Sequence, residues 1–252
     1  MIARFKDLCL DANDPLALGG FWARLLDADL ADAGDGDTRI DPRSARSNAE
    51  SLWVNKVPEP RVGKTRVHLD LRLAGADPAA LLADGAQLLR EPDDARPVRE
   101  PNDARLVSES DGDAGRWVLA DPEGNEFCAL AADANSHPGP FQLVVDALDP
   151  AAQATWWAGV LGGTVEDEST TSSVVGAAGF PWERWVFAGV PEPKTVKNRL
   201  HWDVELAAPE PMALIAAGAT LLREPLDEAH WWWVLADPEG NEFCAFAPRP
   251  IG

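Results

Sequence analysis

The thirteen residues WVLADPEGNEFCA occur twice, letter for letter, at Trp117 to Ala129 and at Trp233 to Ala245. A chain that repeats a stretch of this length folds both copies into the same local structure, and the repeat restricts the architecture before any element is assigned. The identity extends upstream. Val57 to Pro92 aligns without gaps to Val190 to Pro225, with 21 identities in 36 positions, and DPLALGGFWARLL from Asp14 matches DPAAQATWWAGVL from Asp149. The pieces come in the same order in both halves. A period this long is not that of a solenoid, so each copy reads as a domain: 1–132 and 139–252, with the seam in AADANSHPGP, Ala131 to Pro140. The first copy holds 17 extra residues between Pro92 and Trp117, where REPDDARPV is followed at once by REPNDARLV. Pro, Asp and Arg dominate this insert, about 93–112, which reads as an exposed loop.

Within a copy the pattern runs strand, helix, strands, then strand, helix, strands. RFKDLCLD alternates as a strand. Asp14 is placed to cap a helix with Pro15 at its first position. LWVNKV reads as a strand, and RVHLDLRL puts Val67, Leu69, Leu71 and Leu73 on one face. DPAALLADGAQLL reads as a second short helix with Gly85 marking its end. RWVLAD and EFCAL are strands joined by DPEGN, a turn with Pro second and Gly fourth, so the repeated stretch is a β-hairpin. The fold class is α+β.

Composition narrows the partners. A net charge of -20 over 252 residues repels nucleic acid phosphates and anionic lipid surfaces, and suits a neutral or cationic small molecule. The N-terminal MIARFKDLCLDAND lacks the apolar core of a signal peptide. Cys9, Cys128 and Cys244 are an odd, scattered set that fits reduced thiols, so a cytoplasmic location is expected. The sequence contains no nucleophile elbow, phosphate-cradling glycine loop, dinucleotide fingerprint or CxxC pair. Of four histidines, His137 falls in the linker and His230 in a loop, leaving His68 and His201 on strands. Eleven Trp and no Tyr is an unusual aromatic choice. The helical Trp22, Trp156 and Trp157 read as core. For Trp53, Trp117, Trp185, Trp202 and Trp233 two readings stay open: walls of a ligand site, or core.

A βαβββ-βαβββ unit that opens on a DP-x-x-x-x-x-FW helix and closes on a DP-(D/E)-G-N hairpin resembles the vicinal oxygen chelate superfamily, and within it the tandem glyoxalase-like and bleomycin-resistance-like domains. The resemblance covers both halves apart from the insert. It implies two βαβββ modules curled into each open cup, with a small-molecule ligand or substrate inside and a homodimer as one assembly state. It also implies a divalent metal, zinc, nickel, manganese or iron, in the catalytic members and none in the binding members. Carried over residue by residue, the first-strand ligand falls on Asp7 and Gln142 and the fifth-strand ligand on His68 and His201. The eighth-strand position falls on Cys128 and Cys244, where relatives carry Glu; here the Glu stands two residues earlier, at Glu126 and Glu242. Residues i and i+2 share a strand face, so Glu126 and Cys128 both look into the cup while Phe127 packs behind. A shifted metal set would be Asp7, His68 and Glu126 in one copy and Gln142, His201 and Glu242 in the other, with Glu126 and Glu242 as catalytic carboxylates. The metal-free reading makes the strand Trp residues, Cys128 and Cys244 the ligand contacts. The leading functional expectation is a small-molecule-binding protein of the glyoxalase and bleomycin-resistance type; the alternative is a metal-dependent lyase, isomerase or dioxygenase.

Overall fold

The computed structural model of the chain describes residues 1–92, 115–131, 136–227 and 230–248. The insert expected near 93–112, and part of the expected seam, lie outside them. Four βαβββ modules follow one another. The first holds β1 (Ala3–Ala12), α1 (Pro15–Leu25), β2 (Ala28–Gly34), β3 (Asp37–Pro42) and β4 (Leu52–Lys56). The second holds β5 (Val67–Leu73), α2 (Ala79–Ala83), β6 (Gln87–Arg90), β7 (Trp117–Ala120) and β8 (Glu126–Ala131). The third holds β9 (Gly139–Ala147), α3 (Pro150–Leu161), β10 (Thr164–Asp167), β11 (Thr171–Val175) and β12 (Arg184–Gly189). The fourth holds β13 (Leu200–Leu206), α4 (Met212–Ala216), β14 (Thr220–Arg223), β15 (Trp233–Ala236) and β16 (Glu242–Phe246).

Local chemistry sets these boundaries. Asp14 accepts from the Ala17 amide at 3.1 Å and Asp149 from the Ala152 amide at 3.0 Å, each capping a helix that begins with Pro. The DPAALLADGAQLL segment divides: α2 stops before Gly85, at φ 108, and Gln87–Arg90 is a strand rather than more helix. The expected hairpins form, with Ala120 opposite Glu126 and Ala236 opposite Glu242.

The modules assemble into two open eight-stranded sheets, of order β14-β15-β16-β13-β1-β4-β3-β2 and β10-β11-β12-β9-β5-β8-β7-β6. Each sheet contains two βαβββ modules, as expected, but the sheets do not follow the halves of the sequence. The first module joins the fourth through antiparallel β1 and β13, and the second joins the third through antiparallel β5 and β9. A cup built wholly from 1–132 or from 139–252 is therefore replaced by two cups that each draw on both halves.

What holds one half together is the repeated hairpin. Asp121 takes the Glu123 and Asn125 amides on one oxygen, at 3.0 and 2.9 Å, and the Trp22 indole N–H on the other, at 3.1 Å. Glu123 accepts from the amides of Asn13 and Asp14 at the start of α1. The second copy repeats the arrangement, with Trp157 donating to Asp237 at 3.2 Å and Glu239 accepting from the amides of Leu148 and Asp149. Since α1 belongs to one sheet and the β7–β8 hairpin to the other, each DPEGN turn latches the two sheets across a shared core. Phe127 lies in that core, 5.3 Å from the Trp22 ring.

Candidate functional site

Strand parity decides which side chains face the cups. On β5, Val67, Leu69, Leu71 and Leu73 are buried in the core and His68 and Asp70 take the opposite face. The β13 strand repeats this with Leu200, Trp202, Val204 and Leu206 inward and His201 and Asp203 in the cup. Register then brings partners from the other half: His68 lies opposite Val144 and Asp70 opposite Gln142, whereas His201 lies opposite Cys9 and Asp203 opposite Asp7. The expected metal sets are therefore regrouped. Asp7 shares a cup with His201 and Glu242, and Gln142 shares one with His68 and Glu126, because the first strand of each half pairs with the fifth strand of the other.

The β5/β9 cup encloses a cavity of about 400 Å³, with His68, Arg116, Glu126, Cys128, Gln142 and Arg184 on its wall. Beneath its floor Asp70 is 0% exposed and takes two donors on Oδ2, Arg116 Nη1 and Gln142 Nε2, each at 2.6 Å, while His68 Nε2 stands at ion-pair distance, 3.4 Å, from Oδ1. Burial opposes the Asp70 charge, but His68, Arg116 and Gln142 outweigh it and hold the carboxyl below its usual range. Burial likewise opposes charge on His68, and the neighbouring Cys128 and Asp70 reverse that and raise the imidazole well above its ordinary value. Glu126 is tied at the rim, accepting from the Thr65 amide at 3.2 Å with Arg61 3.6 Å away. One ligand atom each from His68, Asp70 and Cys128 lies within 4.8 Å of the other two, but Asp70 is already matched on its other oxygen by Arg116 and Gln142.

The β1/β13 cup carries different chemistry on the same scaffold. Lys6 Nζ grips Asp7 at 2.8 and 3.0 Å and reaches Asp203 at 3.4 Å, while the Trp53 indole N–H donates to Asp7 at 3.2 Å. Burial, and then the Asp7 charge beside it, push the Asp203 carboxyl up to about 8, with Lys6 offsetting only part. Burial and Asp203 also push the Cys9 and Cys244 thiols well up. His201 is 8% exposed, is lowered from its ordinary value chiefly by burial, and makes no hydrogen bond among the described residues. One ligand atom each from Cys9, His201 and Asp203 lies within 4.8 Å of the other two, a donor set that suits a soft divalent ion such as zinc. Glu242 stands apart, held by Lys194 Nζ at 2.7 Å.

The tryptophans divide by face. Trp53 lies opposite Cys9 and points into the β1/β13 cup. Trp185 and Trp202 are 0% exposed and pack with Trp157 at ring separations of 4.8 and 5.3 Å, so they are core and not ligand contacts. Trp117 and Trp233 lie opposite Ala129 and Ala245 and also pack against the core. The equivalent of Trp53 in the other cup is Val186, opposite Val144. Asp70, Asp203 and Cys9 were missed from sequence, although R-x-H-x-D itself places Asp two residues after each His on the same face.

A family model described as a glyoxalase-like domain matches residues 7–130 and again 142–246. The chain belongs to the glyoxalase-like domain family. Two solved structures of glyoxalase I from Zea mays share the fold over nearly the whole chain. One, of a point mutant, is 13% identical with a TM-score of 0.59, covering 97% of this chain and 94% of that one. A second is 11% identical with a TM-score of 0.59, covering 96% and 92%. At these identities the likeness shows the fold alone. No curated protein sequence matches the chain. Among the described residues no helix is long and apolar enough to cross a membrane.

Proposed function

We propose that this glyoxalase-like protein binds a small polar molecule in the β5/β9 cup, without a metal at that position. The observation that carries the reading is the cavity of about 400 Å³ lined by His68, Arg116 and Gln142, which the buried Asp70 holds from below, of a size and polarity suited to one small ligand. Its wall mixes cations and anions: Lys64 pairs with Asp146 at 2.7 Å, and Arg184 and Glu168 line the same cavity. The acidity of the whole chain therefore does not make this cup selective for cations. Glu126 offers a rim carboxylate as ligand acceptor, and Cys128 a thiol on the floor. Ligand-observed NMR with a library of polar fragments tests the reading. Val186→Trp puts into this cup the residue that its counterpart carries at Trp53. Fragments that bind the wild type are expected to be lost in V186W and kept in Trp53→Ala; fragments that survive V186W would count against the assignment.

A second reading, favoured by the unbonded buried His201, concerns the other cup. Cys9, His201 and Asp203 would hold a divalent ion there, and such an ion supplies Lewis-acid polarisation of a ligand oxygen. Lys6 would release Asp203 and keep Asp7. Zinc-incubated, washed protein is expected to retain about one equivalent of zinc, and the Cys9→Ala, His201→Ala double variant none. Equal retention by the two proteins would rule the site out.

A further inference from the structure

The two identical hairpins deliver their cysteines into different company. Cys244 lies opposite Asp203, in the crowded acid pair of the β1/β13 cup. Cys128 lies opposite Asp70, and ligand atoms of Cys128, His68 and Asp70 all fall within 4.8 Å of one another. His68 Nε2 stands 3.4 Å from one oxygen of Asp70, whose other oxygen is pinned by Arg116 and Gln142. A thiol, an imidazole and a carboxylate are thus gathered in one cluster, and Cys128 and His68 both line the cavity beside it.

We infer that Cys128 is a nucleophilic thiol, paired with His68 and positioned by Asp70, and that the β5/β9 cup accepts small uncharged electrophiles whose C=C bond is conjugated to a carbonyl. The inference rests on the proposed role of this cup as the ligand site. In the step itself the Cys128 thiolate forms a bond to the β-carbon. The alkene π pair moves toward the carbonyl as an enolate, and the α-carbon takes the proton held by the His68 imidazolium. The products are a thioether and a neutral imidazole. Arg116 and Gln142 stand on the same wall and offer N–H groups for the carbonyl oxygen. The charged groups facing the pair are Asp70 on β5, Arg116 ahead of β7, Glu126 on β8, Asp146 on β9, Glu168 between β10 and β11, Arg184 on β12 and Lys64 ahead of β5.

Acrylamide is the probe, applied to the intact chain between pH 6 and 9, with each cysteine followed by peptide mass mapping. Cys128 is expected to react at least about tenfold faster than Cys244 at pH 7, and its rate to persist at pH values where Cys9 and Cys244 are silent. His68→Gln should bring Cys128 to the level of Cys244 and shift its profile to higher pH. Cys9 and Cys244 in the same sample report any loosening of the fold. V186W should slow Cys128 alone. Equal rates for Cys128 and Cys244 in the wild type, or an H68Q profile identical to the wild type, would overturn the inference while leaving fragment binding in the cup intact. Cys128 modification undiminished in V186W would overturn access through the cavity.

Discussion

Asp121 and Asp237 each collect a turn and an indole on one buried carboxylate, so a single side chain carries both hairpin geometry and sheet-to-sheet attachment. Asp121→Ala leaves the Trp22 N–H and two turn amides without their acceptor; at about 1 to 3 kcal/mol for a buried unsatisfied donor, partly relieved by water, the loss should be about 3 kcal/mol. Urea unfolding of D121A and of Asp237→Ala checks this, and a loss under about 1 kcal/mol in both would refute the latch. At Asp203 the consequence is a pH dependence. A carboxyl held up to about 8 in the fold, and near its ordinary value in the unfolded chain, binds its proton more tightly when folded. Its contribution to stability is present below about pH 4 and fades as pH rises to about 8. Metal-free wild type should lose stability across that window more steeply than Asp203→Asn. Parallel pH profiles from denaturant titrations would contradict it. At this scale the sequence was most legible where one residue has one local job: the caps Asp14 and Asp149, and the turn residues of DPEGN. Trp185 and Trp202 were harder, because an aromatic on a strand suits either face. Alignment resolves one of them, since Trp202 stands where the other copy has Leu69, on the inward face of a clear period-2 strand.

At the level of elements, the sequence marks which face of a strand is buried but not which strand lies beside it. The alternation of β5 is unambiguous, and its neighbour β9 comes from the other half of the chain. That is why the candidate ligands were grouped by copy and the structure regroups them by cup. The same feature predicts how the halves behave alone. Expressed separately, 1–131 and 136–252 each leave the inner edges of two modules without their partners, β1 and β5 in one case and β9 and β13 in the other. Each half should be a dimer or fail to fold, whereas a mixture of both should recover the circular dichroism and thermal transition of the full chain. A stable, folded monomer of either half, seen by sedimentation, would show that the cross-half pairing is dispensable.

For the whole molecule, duplication supplies two equivalent cups and a few substitutions separate them. Gln142 stands where the other cup has Asp7, Val144 where it has Cys9, and Val186 where it has Trp53. One cup then balances Asp70 with Arg116 and Gln142 beside His68 and surrounds a cavity; the other crowds two carboxyls and two thiols around Lys6. Duplication and fold class are plain from sequence. The division of labour is not, because it depends on which half supplies each neighbour. Calorimetric titration with the strongest fragment from the NMR screen tests this division most directly. One ligand per chain is expected, unchanged in W53A and abolished in V186W; two ligands per chain, or undiminished heat in V186W, would contradict it.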